Sequence, residues 1–157
     1  MVEVLVALLV LTVGLLGLAG LQSFGLRFSH ESYERTQANV LMYDVLDRLR
    51  ANPTVATAAA NNYDGVLEST VAPPAAPACA VGGACTGLEL RDYDRLRWFL
   101  MMVGDNTVNP PVRGLFTVDN DTELQIQHNA ATGIFTVTVR WREKDLQMSN
   151  SINTRLF

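Results

Sequence analysis

Histidine and cysteine are scarce in this chain of 157 residues, which contains two of each. The histidines, His30 and His128, stand far in sequence from the cysteine pair, and no Ser/His/Asp or Cys/His set has the order that nucleophilic catalysis requires. No glycine-rich loop lies between a strand and a helix, and no pair of carboxylates stands out. We therefore expect neither enzymatic activity nor a cofactor.

An excess of basic residues is also absent. The chain has 12 Lys and Arg against 16 Asp and Glu, a formal net charge of −4, which gives no whole-chain argument for nucleic-acid binding. One basic run, from Arg140 to Lys144, includes an aromatic residue, as in sites that bind single-stranded DNA. Strand alternation places Trp141 on the face opposite Arg140 and Arg142, so we expect a core tryptophan and no nucleic-acid partner.

The sequence lacks a complete metal-binding loop. Asp119, Asp121 and Glu123 have the spacing of the first three calcium ligands of an EF-hand. Leu124 stands where that loop needs glycine, and Ala130 stands where it needs a bidentate glutamate. The spacing therefore predicts an acidic turn, and we expect no metal.

Charge is nearly absent from the first 26 residues, where Glu3 is the only charged side chain. The 23 residues from Val4 to Leu26 carry no ionisable side chain. As a helix this run would be roughly 34 Å long, about the thickness of the hydrocarbon core of a bilayer. A carboxylate just inside one end of such a span is costly, which indicates a functional role for Glu3.

Three interpretations of this segment compete. A cleaved secretory signal normally has a basic n-region, a shorter apolar core and a small-residue cleavage site, but this run is long and has Glu3 where Lys or Arg would be expected. A plain single-span anchor fits the length and leaves Glu3 unexplained. The third interpretation comes from a family resemblance.

The first eleven residues, MVEVLVALLVL, resemble the N-terminal segment of type IV pilins and of the pseudopilins of type II secretion. The resemblance implies that a prepilin peptidase cuts after a glycine and that the new N-terminal Phe is methylated. It also implies that a carboxylate, here Glu3, neutralises the N-terminal amine of a neighbouring subunit. The family's Gly-Phe-Ser or Gly-Phe-Thr is not found before Glu3, so we expect the true start to lie upstream of Met1.

Helical periodicity continues beyond the apolar run. Six apolar residues follow the i, i+3, i+4 spacing of one helix face: Ala38, Leu41, Met42, Val45, Leu46 and Leu49. Pro53 ends the pattern. The sequence predicts one helix from about Val2 to Ala51, with a transmembrane and assembly part at residues 1–26 and an amphipathic continuation at residues 27–52.

Glycines interrupt the apolar part at Gly14, Gly17, Gly20 and Gly25, and each costs about 1 kcal/mol of helix propensity relative to alanine. One interpretation is close backbone packing in lipid. The other is helix flexibility, in a stretch that melts when the subunit leaves the membrane for a filament. The sequence does not decide between them.

Residues 53–157 are expected to form one periplasmic head. Residues 53–87, rich in Ala and Pro, predict an irregular connection. It contains Cys79 and Cys85, separated by Ala-Val-Gly-Gly-Ala. In an exported protein a disulfide is favoured for this pair, and a metal site would need further ligands.

A second helix is predicted from Gly87 to Gly104, because Thr86 and Glu89 have the spacing of a capping box. We expect its apolar face to contain Tyr93, Leu96, Phe99, Leu100 and Val103, and we expect Arg91, Asp92, Asp94 and Arg95 to face water.

The last third reads as strands joined by short turns. Period-two alternation predicts strands at residues 114–118, 123–127, 134–141 and 146–156, with a turn at residues 129–133. They imply an antiparallel sheet with one buried face, which the apolar stripe of the first helix would cover. The expected fold class is thus α+β and pilin-like, a long N-terminal helix packed on a C-terminal antiparallel sheet.

The cysteine pair, the run DYDRLRW at residues 92–98 and the strand VTVRWRE at residues 137–143 resemble PilV-type minor pilins. This resemblance implies a minor pilin in the bacterial inner membrane, single-pass with a periplasmic head, that enters the tip or priming complex of a type IV pilus. Its implied partners are minor and major pilins, the assembly platform and the prepilin peptidase. A type II secretion pseudopilin, or a periplasmic ligand-binding domain on a plain anchor, remains the alternative.

Overall fold

The computed structural model describes residues 2–60, 62–108, 110–116, 121–143 and 146–157. Two units follow from backbone packing, Met1–Arg35 and Thr36–Phe157. Helix α1, Val2–Ala51, contributes to both. Its span agrees with the predicted one, and Pro53 opens the four-residue helix α2, Pro53–Ala56, immediately after it. Since a residue that precedes proline resists the helical conformation, α1 ends where the sequence indicates.

The second unit contains a four-stranded antiparallel sheet in the order β1-β4-β5-β6. Its strands are β1 (Gly65–Glu68), β4 (Glu123–Asn129), β5 (Ile134–Glu143) and β6 (Leu146–Arg155). A small two-stranded sheet pairs β2, Gly104–Asp105, with β3, Val112–Arg113.

The core of the second unit lies between α1 and the larger sheet. All six residues of the predicted helix stripe are at most 2% exposed. They belong to one cluster with the inward residues of β4 and β5, which are Leu124, Ile126, Phe135, Val137, Val139 and Trp141. The predicted α+β fold, a long N-terminal helix packed on a C-terminal antiparallel sheet, is confirmed, as is the core position of Trp141.

Helix α3, Gly87–Val103, begins and ends as predicted. The Thr86 hydroxyl accepts the Glu89 backbone N–H, the Glu89 carboxylate accepts the Thr86 N–H at 2.9 Å, and Gly104 is the C-cap. The predicted orientation of α3 is only partly correct: Leu100 and Val103 pack against the core as expected, but the residues that the helix fully buries are Asp94, Trp98, Phe99 and Met102. Of the predicted apolar face, Phe99 is buried, whereas Asp94, expected in water, is 1% exposed.

Residues 53–87 are more regular than predicted. They contain α2, strand β1 and a 3₁₀ turn at Ala78–Val81. Strand β1 pairs with the first half of β4, from Gly65 opposite Ile126 to Glu68 opposite Glu123. A strand of four residues with one buried side chain, Leu67, shows too little alternation to be found from sequence.

The predicted strand at residues 114–118 is wrong in its described part. Strand pairing ends with β3 at Arg113, just before the predicted range. Leu115 instead donates its N–H to the carbonyl of Met101, near the end of α3, at 2.8 Å. The approach is close, since a Cβ on Gly114 would lie 2.3 Å from the backbone carbonyl oxygen of Met102. Thr117 and Val118 lie outside the described residues, as do Asp119 of the acidic turn and Lys144 of the basic run.

Candidate functional site: the apolar helix segment and its supports

The first unit presents apolar surface along its whole helical length. Its Val, Leu and Phe side chains from Val2 to Phe28 are 55–75% exposed. An 18-residue window in α1 has a mean hydropathy of 2.7, and none of it is buried within the chain. In the described part of the chain, α1 is the one helix long and apolar enough to cross a membrane. A surface of this kind needs lipid or other protein to cover it.

Glu3 lies in the first turn of α1 with its side chain exposed. It shares a shallow surface depression with Val4, Ala7, Leu8 and Leu11. The N-terminal end of a helix favours a negative charge, because its free N–H groups carry partial positive charge. Burial of this apolar surface would desolvate the carboxylate, which is unfavourable unless a cation accompanies it.

The glycines of the apolar segment lie within continuous helix. Apart from the neighbouring helix backbone, a Cβ added at Gly14, Gly17, Gly20 or Gly25 would meet no atom of the described residues within 4 Å. The contacts among the described residues therefore do not require a small residue at these positions. Both the packing and the flexibility interpretations remain predictions.

The cysteine pair lies just before α3. The sulfur atoms of Cys79 and Cys85 are bonded at 1.98 Å, and their Cα atoms are 5.2 Å apart. The bond closes a loop that starts in the 3₁₀ turn and ends one residue before the N-cap Thr86. Among the residues that the structure describes, no group of three His, Cys, Asp or Glu side chains is placed to hold a metal ion.

A buried polar network, which sequence reasoning missed, holds α1 against α3. Asp94 accepts hydrogen bonds from the Arg48 guanidinium and the Tyr63 hydroxyl, both at 2.7 Å. Asp44 accepts from Arg48 Nε at 2.7 Å and from Trp98 Nε1 at 2.9 Å. Each of these four hydrogen bonds thus ends on a carboxylate, which compensates for the removal of its charge from water.

Asn52 extends this network to the start of α3. Its side-chain amide donates to the Tyr63 hydroxyl at 3.1 Å and to the carbonyl of Gly87 at 2.8 Å. A Cβ on Gly87 would lie 2.9 Å from Val55 and 3.1 Å from Asn52. The first turn of α3 therefore packs so closely on the end of α1 and on α2 that a side chain larger than that of Gly87 would displace Val55 or Asn52.

The network sets the protonation of its members. Burial opposes the charge on Arg48, but the hydrogen bonds that it donates to Asp44 and Asp94, together with the negative charges of these carboxylates, outweigh burial and raise the pKa of the guanidinium. Burial is the main cause that raises the pKa of Tyr63, and its bond to Asp94 acts in the same direction. Tyr63 therefore remains a neutral donor and Arg48 a cation. One sequence signal for this arrangement was the i, i+4 spacing of Asp94 and Trp98, since such residues share a helix face.

The architecture defines a class of protein. A long helix has an apolar segment that no other described residue covers, and its amphipathic continuation is part of the core of an α+β head. This is the organisation of a pilin-like protein.

Comparison with known families agrees with this class. A family model described as Tt1218-like, Type IV pilin Tt1218, matches residues 20–96. The matched range runs from the apolar segment through the disulfide into α3. No curated protein and no solved structure matches the chain. The match supports the type IV pilin superfamily and with it a structural role, membrane anchoring and interaction with other pilins in a pilus.

Proposed function

We propose that this chain is a minor pilin of the PilV type, which assembles through its apolar helix into the priming or tip complex of a type IV pilus. The observation that carries the proposal is the uncovered apolar segment of α1 with Glu3 in its first turn. Before assembly this segment would span the bacterial inner membrane, with the head in the periplasm. The proposed partners are minor and major pilins, the assembly platform and the prepilin peptidase.

The proposed role of Glu3 follows from electrostatics. Packing between apolar helices removes its carboxylate from water, and an unpaired buried charge is strongly unfavourable. The N-terminal ammonium of a neighbouring subunit would remove that penalty at one axial position only. Glu3 would thereby set the axial register of assembly as well as favour it.

The first prediction concerns Glu3→Ala in the protein expressed from its own locus. Membrane insertion should be unchanged, because the substitution makes the span more apolar. Co-purification with pilins should fall at least about tenfold, because one partner of a buried ion pair is lost. The measurement is the amount of this chain in membranes and in sheared filaments.

Asp47→Ala is the matched control, since it removes an exposed carboxylate from the other half of the same helix. Normal piliation with Glu3→Ala would contradict the proposed role of Glu3. Loss of protein secretion with intact pili would indicate a type II secretion pseudopilin instead. Crosslinking without any pilin partner would indicate a ligand-binding head on a plain anchor.

A further inference from the structure

Strand β6 forms one edge of the larger sheet. It pairs with β5 over ten consecutive positions, from Leu146 opposite Glu143 to Arg155 opposite Ile134. Within the described residues, no strand pairs with its other side. Ten residues is long for an edge without a partner strand, and such an edge presents a row of backbone donors and acceptors that are not paired with another strand.

The structure indicates which backbone groups point away from β5. Ser151 donates its N–H to its neighbour's side chain, Asn150 Oδ1, at 3.0 Å. The carbonyl of Arg155 accepts the hydroxyl of Thr154 at 3.3 Å. Backbone groups alternate in direction along a strand. The residues whose N–H and C=O groups point away from β5, the outward set, are therefore Gln147, Ser149, Ser151, Asn153 and Arg155. The side chains of this set are also exposed.

From Leu146 to Thr154 this edge lacks the sequence features that usually prevent strand addition. Proteins protect long edges with lysine, proline, bulges or inward charges. Leu146–Thr154 contains no proline and no ionisable side chain, and the register with β5 is one to one, without a bulge. An incoming strand would therefore meet hydroxyl and amide groups and no charge until Arg155.

The edge also adjoins α1. The side-chain amide of Asn150 donates to Asn39 Oδ1 at 2.7 Å, and the next residue on α1, Val40, is 50% exposed. A subunit that packs beside α1 would thus meet the edge of β6 as part of the same surface.

Strand direction selects the partner strand. The proposed function places neighbouring subunits with their α1 helices in one direction. Two copies of β6 can pair antiparallel only about a two-fold axis perpendicular to the sheet, and that rotation would reverse α1, which packs on the sheet. In an equally oriented neighbour, the strands that run opposite to β6 are those equivalent to β5 and β1. Only β1 lies at an edge.

We propose that β6 pairs antiparallel with the β1-equivalent edge strand of a neighbouring pilin head, so that the sheets of adjacent subunits join. This inference rests on the proposed function, because it assumes neighbours of like fold and like orientation. Backbone hydrogen bonds would provide the affinity.

Ser151→Pro in the full chain, expressed from its own locus, tests the proposal. Proline removes an N–H that points away from β5, so the β5–β6 ladder is retained while strand addition is blocked. Ser151→Ala is the matched control, because it keeps the N–H. We expect Ser151→Pro to lower recovery of the chain with pilins about tenfold and Ser151→Ala to leave it within about twofold.

A photo-crosslinking residue at Gln147 provides a second measurement, with Gln127, an exposed position on β4, as the control position. The expected product joins Gln147 to a β1-equivalent strand of another pilin, and Gln127 gives no such product. Products from Gln147 to β6 of a second copy, or equal recovery of Ser151→Pro and wild type, would overturn the proposal. If Glu3→Ala prevents assembly while Ser151→Pro does not, this inference fails and the proposed function stands.

Discussion

Asp94 has a carboxylate with a side chain only 2% exposed, between the cationic Arg48 and the hydroxyl of Tyr63. Its position makes it the connection between α1, α3 and the segment that leads to β1. Removal of one partner of a buried pair is costly, because the other charge remains without compensation. The stability of the head should therefore depend on Asp94 far more than on the exposed carboxylates of the same helix.

The second prediction is that Asp94→Ala lowers the free energy of unfolding by about 3 kcal/mol. Asp92→Ala is the control, since the side chain of Asp92 is 43% exposed, and it should change stability by no more than about 1 kcal/mol. Urea unfolding of both variants in detergent measures the difference. Equal midpoints for the two variants would show that the buried pair contributes little.

The third prediction is a loss of stability at alkaline pH that depends on Tyr63. The folded pKa of Tyr63 lies above the unfolded value near 10, chiefly because the hydroxyl is buried. Above that pH the unfolded chain loses this proton while the folded chain keeps it, so the free energy of unfolding falls as pH rises. Tyr63→Phe should be less stable at neutral pH, and its stability should decline less steeply between about pH 9 and 11.

Thermal unfolding of wild type and Tyr63→Phe across that range tests this prediction. Tyr43→Phe, at an exposed position on α1, is the control and should retain the slope of wild type. Parallel slopes for wild type and Tyr63→Phe would exclude the proposed linkage.

At the scale of elements, features that depend on residues close in sequence were predicted, and features that depend on contacts between distant segments were missed. The limits of α1 and α3 were predicted because Pro53, Thr86, Glu89 and Gly104 act within one helical turn. The faces of β4 and β5 were predicted because alternation persists over seven or more residues. Strand β1 was missed, since its four residues acquire their conformation by pairing with β4, far along the chain.

The buried face of α3 required tertiary information for a different reason. The apolar residues of α3 occur on more than one side, so periodicity alone allowed more than one orientation. The choice depends on Arg48 and Asp44 of α1, which supply partners for Asp94 and for the indole N–H of Trp98. A polar contact between distant segments thus decides which apolar residues are buried.

At the scale of the whole molecule, the buried core belongs entirely to the unit Thr36–Phe157. The fourth prediction is that a fragment of residues 27–157 folds in the absence of detergent with a thermal midpoint within a few degrees of that of the full chain, because removal of residues 1–26 takes away no core residue. Circular dichroism and thermal unfolding provide the measurement. Aggregation or loss of the cooperative transition would show that the apolar segment is needed to fold the head.

The sequence by itself determined the limits of the two long helices, the alternation of the central strands, the apolar segment and the isolated charge of Glu3. These features depend on local sterics, periodicity and the cost of charge in an apolar environment. Only the tertiary structure decided the orientation of α3, the partners of Asp94, the place of β1 and the open edge of β6. Each of these depends on which distant segments meet, and one-dimensional patterns do not contain that information.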